Sequence, residues 1–409
     1  MLINRLYFMI YYIKRNLIQW GDIMNEKLFA NKEILKWARE SIHITLDQAS
    51  SKLNIDVTIL KDIEEGKEPI SYSNLEKMAK LYGRPIALFF FSRIPEEPTP
   101  VKQFRTLPDV AFYEFDPNMY KLFRKALIMQ LNVKELNDNI STFNNVQIKL
   151  DENNIKKSCE LVRTLLEINI NMQKKKNDIA KSLEMWREAF EKIGISVFKD
   201  SFQNDSYSGF CIYDKDFPVI LINNNLSKNR QLFTMFHELS HILFKTSGID
   251  IENDEAINDN INNYVDKNIE QFCNKFAGEF LVPTDDFLNE YHVLKEIDTD
   301  IEEICKKLSK LYTVSKEVIL RKIVDNNLYS SNIYNILVNK WNEELENIPK
   351  RKPMGNFYSN KFAYLGKNYV SIVLKNYYNH SINASQASSY LMLKPKNFNE
   401  FSNRFRGVM

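Results

Sequence analysis

Arg230-Gln231-Leu232-Phe233-Thr234-Met235-Phe236-His237-Glu238-Leu239-Ser240-His241-Ile242-Leu243 decides how this chain is to be understood. Its apolar residues recur at helical spacing, and together with Phe244 they wrap most of the surface of one helix. A helix apolar on nearly every side is buried. On it, His237 and His241 stand four residues apart and share a face, close enough for two imidazoles to grip one ion. Glu238 is rotated to the side, where it can hold a water in the metal's open position and take its proton. His-Glu-x-x-His is short enough to arise by chance, and the plain alternative is two histidines on a core helix.

A catalytic zinc takes three protein ligands and keeps one position open, so a third donor is needed. His292 lies beyond Pro283 and His380 in the last part of the chain, and neither suits. The helix expected over 269–281 offers two carboxylates, Glu270 and Glu279. Glu270 precedes the apolar stripe Phe272, Phe276 and Phe280 and can project from the helix start toward the metal. The helix dipole alone would also favour an acid there. If a fourth protein ligand closed the metal, the site would be structural, and Cys273 is the nearest candidate for that.

Short β-rich runs at 195–198, 209–213 and 219–222 predict a small sheet ahead of the motif helix. Val219, Ile220, Leu221 and Ile222 are the candidate substrate-binding residues. As an edge strand they would pair with an extended peptide by strand addition, whereas an interior strand would offer no free edge. Residues 249–268 are rich in Asp and Asn and read as a loop. Helices are expected again to about 348, and a last helical segment ends near 405.

Between 34 and 91 the apolar pattern breaks into four or five short helices. Thr45 can cap a helix through Leu53, Asn54 supplies a turn, and a helix over 58–65 ends at Gly66, which is the helix-turn-helix layout. Thr58 and Lys61 are the candidate DNA-binding residues. Asp62, Glu64 and Glu65 on the same helix make a poor face for phosphates, so docking of a partner protein is the rival reading of this domain. Pro95, Pro98, Pro100 and Pro108 then predict a stiff extended linker.

The 409 residues suffice for two or three domains. With 55 basic against 53 acidic side chains the molecule has no one-signed field, so any nucleic-acid contact is local. Cys159, Cys211, Cys273 and Cys305 are far apart, form no CxxC pair and read as reduced thiols of a cytoplasmic protein. The apolar run at 6–13 is about half the ~18 residues a span needs, and no small-x-small cleavage site follows it. It reads as an incidental extension with Met24 a candidate start, and no membrane association is expected. The expected fold is mainly α (α+β). The parts are an extension (1–30), a helix-turn-helix bundle (31–92), a linker (93–108), a zincin-like peptidase domain with a small sheet and the His-Glu-x-x-His helix (109–348), and C-terminal helices (349–409).

The opening stretch, followed by Glu270-Gln271-Phe272-Cys273-Asn274-Lys275-Phe276-Ala277-Gly278-Glu279-Phe280-Leu281-Val282-Pro283, resembles the ImmA/IrrE family of metallopeptidases in order and spacing. Trp37-Ala38-Arg39-Glu40, Phe104-Arg105-Thr106-Leu107-Pro108 and residues 209–223 resemble members that carry an Xre-like domain in front, so the likeness runs over nearly the whole chain from about residue 34. The family has Gly where Ser240 stands, a small-for-small change on the side away from the ligands. The resemblance implies one Zn²⁺ per chain, with Glu270 as third ligand beside His237 and His241 and Glu238 as general base. The implied activity is a metallo-endopeptidase that cleaves a helix-turn-helix transcriptional repressor in response to DNA damage or mobile-element induction. DNA is a further partner expected for 31–92. The alternative is a DNA-binding regulator whose metallopeptidase-like domain is not catalytic. Its ligands should then have eroded, and all four site residues are intact.

Overall fold

The computed structural model describes residues 27–96, 115–143, 148–176, 178–246, 249–251, 267–298, 300–346 and 355–408. The N-terminal extension with Met24, most of the proline-rich linker and most of the Asp- and Asn-rich stretch lie outside the described residues. The described residues form two compact units, one of 27–96 with 115–124 and one from 125 onward.

In the first unit, helices Lys32–Glu40, Leu46–Leu53, Val57–Glu65 and Tyr72–Tyr82 precede a 3-10 turn, Ile86–Phe90. Strands β1 (Lys27–Leu28) and β2 (Ile70–Ser71) pair antiparallel. Local chemistry sets the boundaries. Thr45 and Gln48 form a reciprocal capping box, and Asn54 ends that helix in the left-handed region at φ 54°. Asp56 caps the next helix, and Gly66 ends it at φ 76°, where a side chain would be strained.

One acid does not face outward as the sequence suggested. Glu64 is buried and holds Arg39 of the first helix, with Nε 2.8 Å from Oε1 and Nη2 3.0 Å from Oε2, while Arg39 Nη1 donates to Ile44 O at 2.9 Å. Breaking such a pair from one side costs about 3–5 kcal/mol. Glu64 therefore locks the third helix onto the first and is no part of its outer face.

The second unit is built on a four-stranded sheet of β3 (Ser196–Asp200), β4 (Tyr207–Ile212), β5 (Val219–Asn223) and β6 (Ile249–Ile251), in the order β3-β5-β4-β6. β3 and β5 run parallel, and the other neighbours pair antiparallel. Two sequence expectations are corrected here. β5 is interior, paired along its length to β3 on one side and β4 on the other, so Val219, Ile220, Leu221 and Ile222 offer no edge to a peptide. All four are fully buried, as their unbroken apolar run requires. β6 falls at the start of the stretch read as a loop, because three residues are too few to show an alternating pattern.

The third correction concerns residues 349–409, which the sequence reading set apart. Helices Phe357–Leu365, Lys367–Tyr378, Ala384–Tyr390 and Phe398–Phe405 belong to the same unit as the sheet. Arg187 of helix Ile179–Lys192 is 1% exposed. It donates to Val197 O of β3 at 2.9 Å, Ala363 O at 2.7 Å and Tyr364 O at 3.2 Å. Tyr369 packs edge-on to Phe198 of β3 at 5.2 Å, and Asn376 Nδ2 donates to Leu136 O at 3.1 Å. No helix among the described residues is long and apolar enough to cross a membrane.

Beside Arg187 lies Glu191, 3.5 Å from its Nε. Burial pushes the Glu191 carboxyl up to about 7, against the downward pull of Arg187. A folded-state value raised above the unfolded one adds stability that is complete below about 4.5 and is lost as pH rises through about 7. Between those limits the contribution is on the order of 3 kcal/mol. Thermal unfolding at pH 7.5 and at pH ~5 should therefore show the wild type gaining stability relative to Glu191→Gln as pH falls. Parallel pH profiles for the two proteins would overturn this.

Candidate metal centre

The motif helix, Lys228–Leu243, starts at Ser227, whose side chain accepts from Arg230 N at 3.3 Å. It lies on β4 and β5 at a distance only glycine allows. A Cβ on Gly209 of β4 would stand 2.5 Å from Thr234 Cγ2 and 3.0 Å from Leu221 O. Helix Lys267–Leu281 runs antiparallel to it, as two aromatic pairs show. Phe236 stacks on Phe280 with centroids 4.2 Å apart, and Phe244 meets Phe272 edge-on at 4.9 Å. Trp186 and Phe190 close the first pair from the side. The last carbonyls of Lys267–Leu281 are capped by side chains: the half-buried Arg163 donates to Phe280 O, and the buried Gln173 Nε2 to Leu281 O at 2.8 Å.

Between the two aromatic pairs, three donors converge. His237 Nε2 is 3.1 Å from Glu270 Oε2, His241 Nε2 is 3.1 Å from Glu270 Oε1, and the two Nε2 atoms are 3.1 Å apart. Both imidazoles are buried, and Glu238 beside them is fully buried. Each ring is oriented from behind. His237 Nδ1 lies 3.0 Å from Asn274 Oδ1, an acceptor, so Nδ1 donates and Nε2 keeps its lone pair for the centre. The Thr246 hydroxyl donates to His241 O at 3.1 Å and lies 3.4 Å from His241 Nδ1, in place to accept from it. Burial works against charge on His241, yet Cys273 and Glu270 facing it raise its pKa well above the usual value. Burial likewise works against charge on Glu270, but His241 and His237 hold its carboxyl far below the ordinary range. Ser240, where the family has Gly, is fully buried and donates back to His237 O at 2.6 Å.

Residues 190–324 match the model of a peptidase family described as the IrrE N-terminal-like domain, and residues 35–89 match that of the helix-turn-helix. The chain thus joins an IrrE-like peptidase domain to a helix-turn-helix domain. Both matches agree with the ImmA/IrrE resemblance and its Xre-like first domain. No curated protein and no solved structure matches the chain.

Other sequence candidates stand elsewhere in the fold. The Glu279 carboxylate accepts from Thr284 N at 2.9 Å and Thr284 Oγ1 at 2.5 Å and pairs with Lys322 at 2.5 Å, so it caps the next helix. His292 packs edge-on to Tyr291, and His380 sits in a left-handed turn at φ 61°, neither within the cluster. In the first domain, Thr58 Oγ1 donates to Asp56 Oδ1 at 2.5 Å, while Lys61 is exposed with its ammonium 3.9 Å from Glu65. Sequence reasoning missed Asn274, although its place four residues after Glu270 puts both on one helix face. Thr246, beyond the end of the motif helix, carried no periodic signal. A groove of about 1180 Å³ runs beside the site, lined among others by Arg230, Phe233, Asn274, Arg321 and Tyr334.

Proposed function

We propose that the IrrE-like domain is a zinc-dependent endopeptidase acting in the cytoplasm on a helix-turn-helix repressor. The observation that carries this reading is the convergence of the His237 and His241 Nε2 atoms, 3.1 Å apart, each 3.1 Å from one oxygen of the Glu270 carboxylate. Donors about 2.0–2.1 Å from one tetrahedral zinc stand about 3.3 Å from each other, so two imidazoles and a carboxylate at this spacing suit that ion. Asn274 and Thr246 hold the rings, and Glu270 offsets the metal's charge.

When bound, zinc supplies Lewis acidity and a water of lowered pKa. Glu238, fully buried beside His237, would take a proton from a water there and pass it to the leaving amine nitrogen. With β5 interior, the groove past Phe233 and Asn274, whose lining carries charges of both signs, is the place we assign to the peptide. The repressor as substrate class rests on the family likeness. Metal analysis of the purified protein, with co-expression of the repressor encoded beside its gene, tests the reading. One zinc and a Glu238-dependent fragment are expected, and a metal-free protein with no fragment sinks it.

We further propose that the helix-turn-helix domain binds DNA, with Lys61 on a phosphate and Thr58 beside it. Lys61→Glu should then weaken binding to all sequences alike and lower the slope of log affinity against log salt by about one. DNA binding that ignores salt, or an isolated first domain that captures the repressor instead, favours the docking reading.

A further inference from the structure

The helix that carries Glu270 brings a fourth donor to the centre. Cys273, one turn on and fully buried, places its Sγ within 4.8 Å of a ring nitrogen of His237 and of His241. The other cysteines do nothing comparable. Burial pushes the Cys159 and Cys305 thiols up to about 12, and Cys159 and Cys211 turn their sulfurs to the carbonyls of Phe276 and Thr246 at 3.8 Å each. A buried cysteine is ordinarily a small apolar filler. Cys273 instead faces the two imidazoles that also hold Glu270, a setting in which sulfur is a ligand for zinc. Its place follows from helix geometry, since Glu270 and Cys273 are three residues apart on one face, and Asn274 next to it anchors His237.

We propose that Cys273 is a fourth protein donor to the metal, bound as a thiolate in the position a catalytic water needs, so that the peptidase rests closed. The inference rests on the zinc-peptidase reading above and adds to it a latent state. Binding releases the thiol proton to solvent, and opening returns a proton to sulfur as water takes its place. A site with three ligands and a water is ready to cut, whereas one with four protein ligands is shut. Exchange of sulfur for water would therefore switch the enzyme without moving either helix.

Cobalt(II) replacing zinc in the full-length chain tests this by absorption. Thiolate ligation gives an intense near-ultraviolet charge-transfer band, and the weaker visible bands report the bound ion itself. The wild type should show both. Cys273→Ala should lose the charge-transfer band, keep the visible bands, bind cobalt roughly tenfold or more weakly, and cleave faster with zinc restored. A wild-type spectrum with visible bands that His237→Ala abolishes, yet with no charge-transfer band, overturns the fourth donor and leaves the peptidase reading standing. If stoichiometric cobalt does not bind at all, the peptidase reading fails and the latch with it. The wild-type spectrum decides by itself, so the answer does not depend on how a variant folds.

Discussion

Glu238→Gln should leave one metal ion bound per chain and cut peptide cleavage by a factor of roughly 10² to 10⁴. Gln keeps the size and hydrogen-bonding reach of Glu but cannot take a proton from water. Glu238 is one residue past His237 and is not among the three converging donors, so the ion should not feel the change. His237→Ala, His241→Ala and Glu270→Gln should behave differently, because each removes one of the converging donors, and each should weaken the metal itself. Glu279→Gln is the control from the same helix. Its carboxylate is spent on Thr284 and Lys322, so the variant should keep its metal and lose only stability. Metal content by elemental analysis and fragment yield separate these classes. Loss of metal from Glu279→Gln together with full retention in Glu270→Gln would falsify the assignment of the third ligand.

Removal of residues 349–409 should unfold the second unit rather than trim it. The sequence places the peptidase domain at 109–348, and the structure puts the described residues after 354 in the same compact unit. Without Ala363 and Tyr364, the buried Arg187 guanidinium loses two of the three carbonyls it donates to and faces water on one side. Leu365, Tyr369, Val370, Val373 and Leu374 are all buried, and each large apolar side chain contributes about 1.5–3 kcal/mol. Part of that burial is within the C-terminal helices, yet the sum still reaches the 5–15 kcal/mol of a whole domain. The truncated chain is expected in the insoluble fraction, or without a cooperative thermal transition. A soluble truncated protein with an unchanged transition would show that these helices only decorate the unit.

The parts of the fold that were legible in the sequence were those written in local chemistry. The capping box at Thr45, the left-handed Asn54 and Gly66, and the His-Glu-x-x-His helix each declare themselves within a few residues. What stayed hidden depended on neighbours far away in the chain. The run at 219–222 is apolar enough for either an edge or an interior strand, and only its pairing on both sides decides. Glu64 looks like any surface acid until Arg39 arrives from another helix to bury it. The helices after 356 have ordinary amphipathic patterns that cannot say which surface they cover. At the site, spacing alone left Glu270 and Glu279 as rivals. The antiparallel packing of the two helices, which brings Glu270 to the histidines and turns Glu279 toward Lys322, is a tertiary fact.

The two aromatic pairs that flank the donors bear on how the metal is acquired. Phe236 with Phe280 on one side and Phe244 with Phe272 on the other clamp the helices together at both ends of the donor cluster. In small zinc modules the binding energy of the ion is the folding energy, and chelation melts them. Here the hydrophobic clamp supplies the scaffold, so an ion would enter a seat already framed. Chelation should thus idle the protein without dismantling it, and reloading should need no refolding.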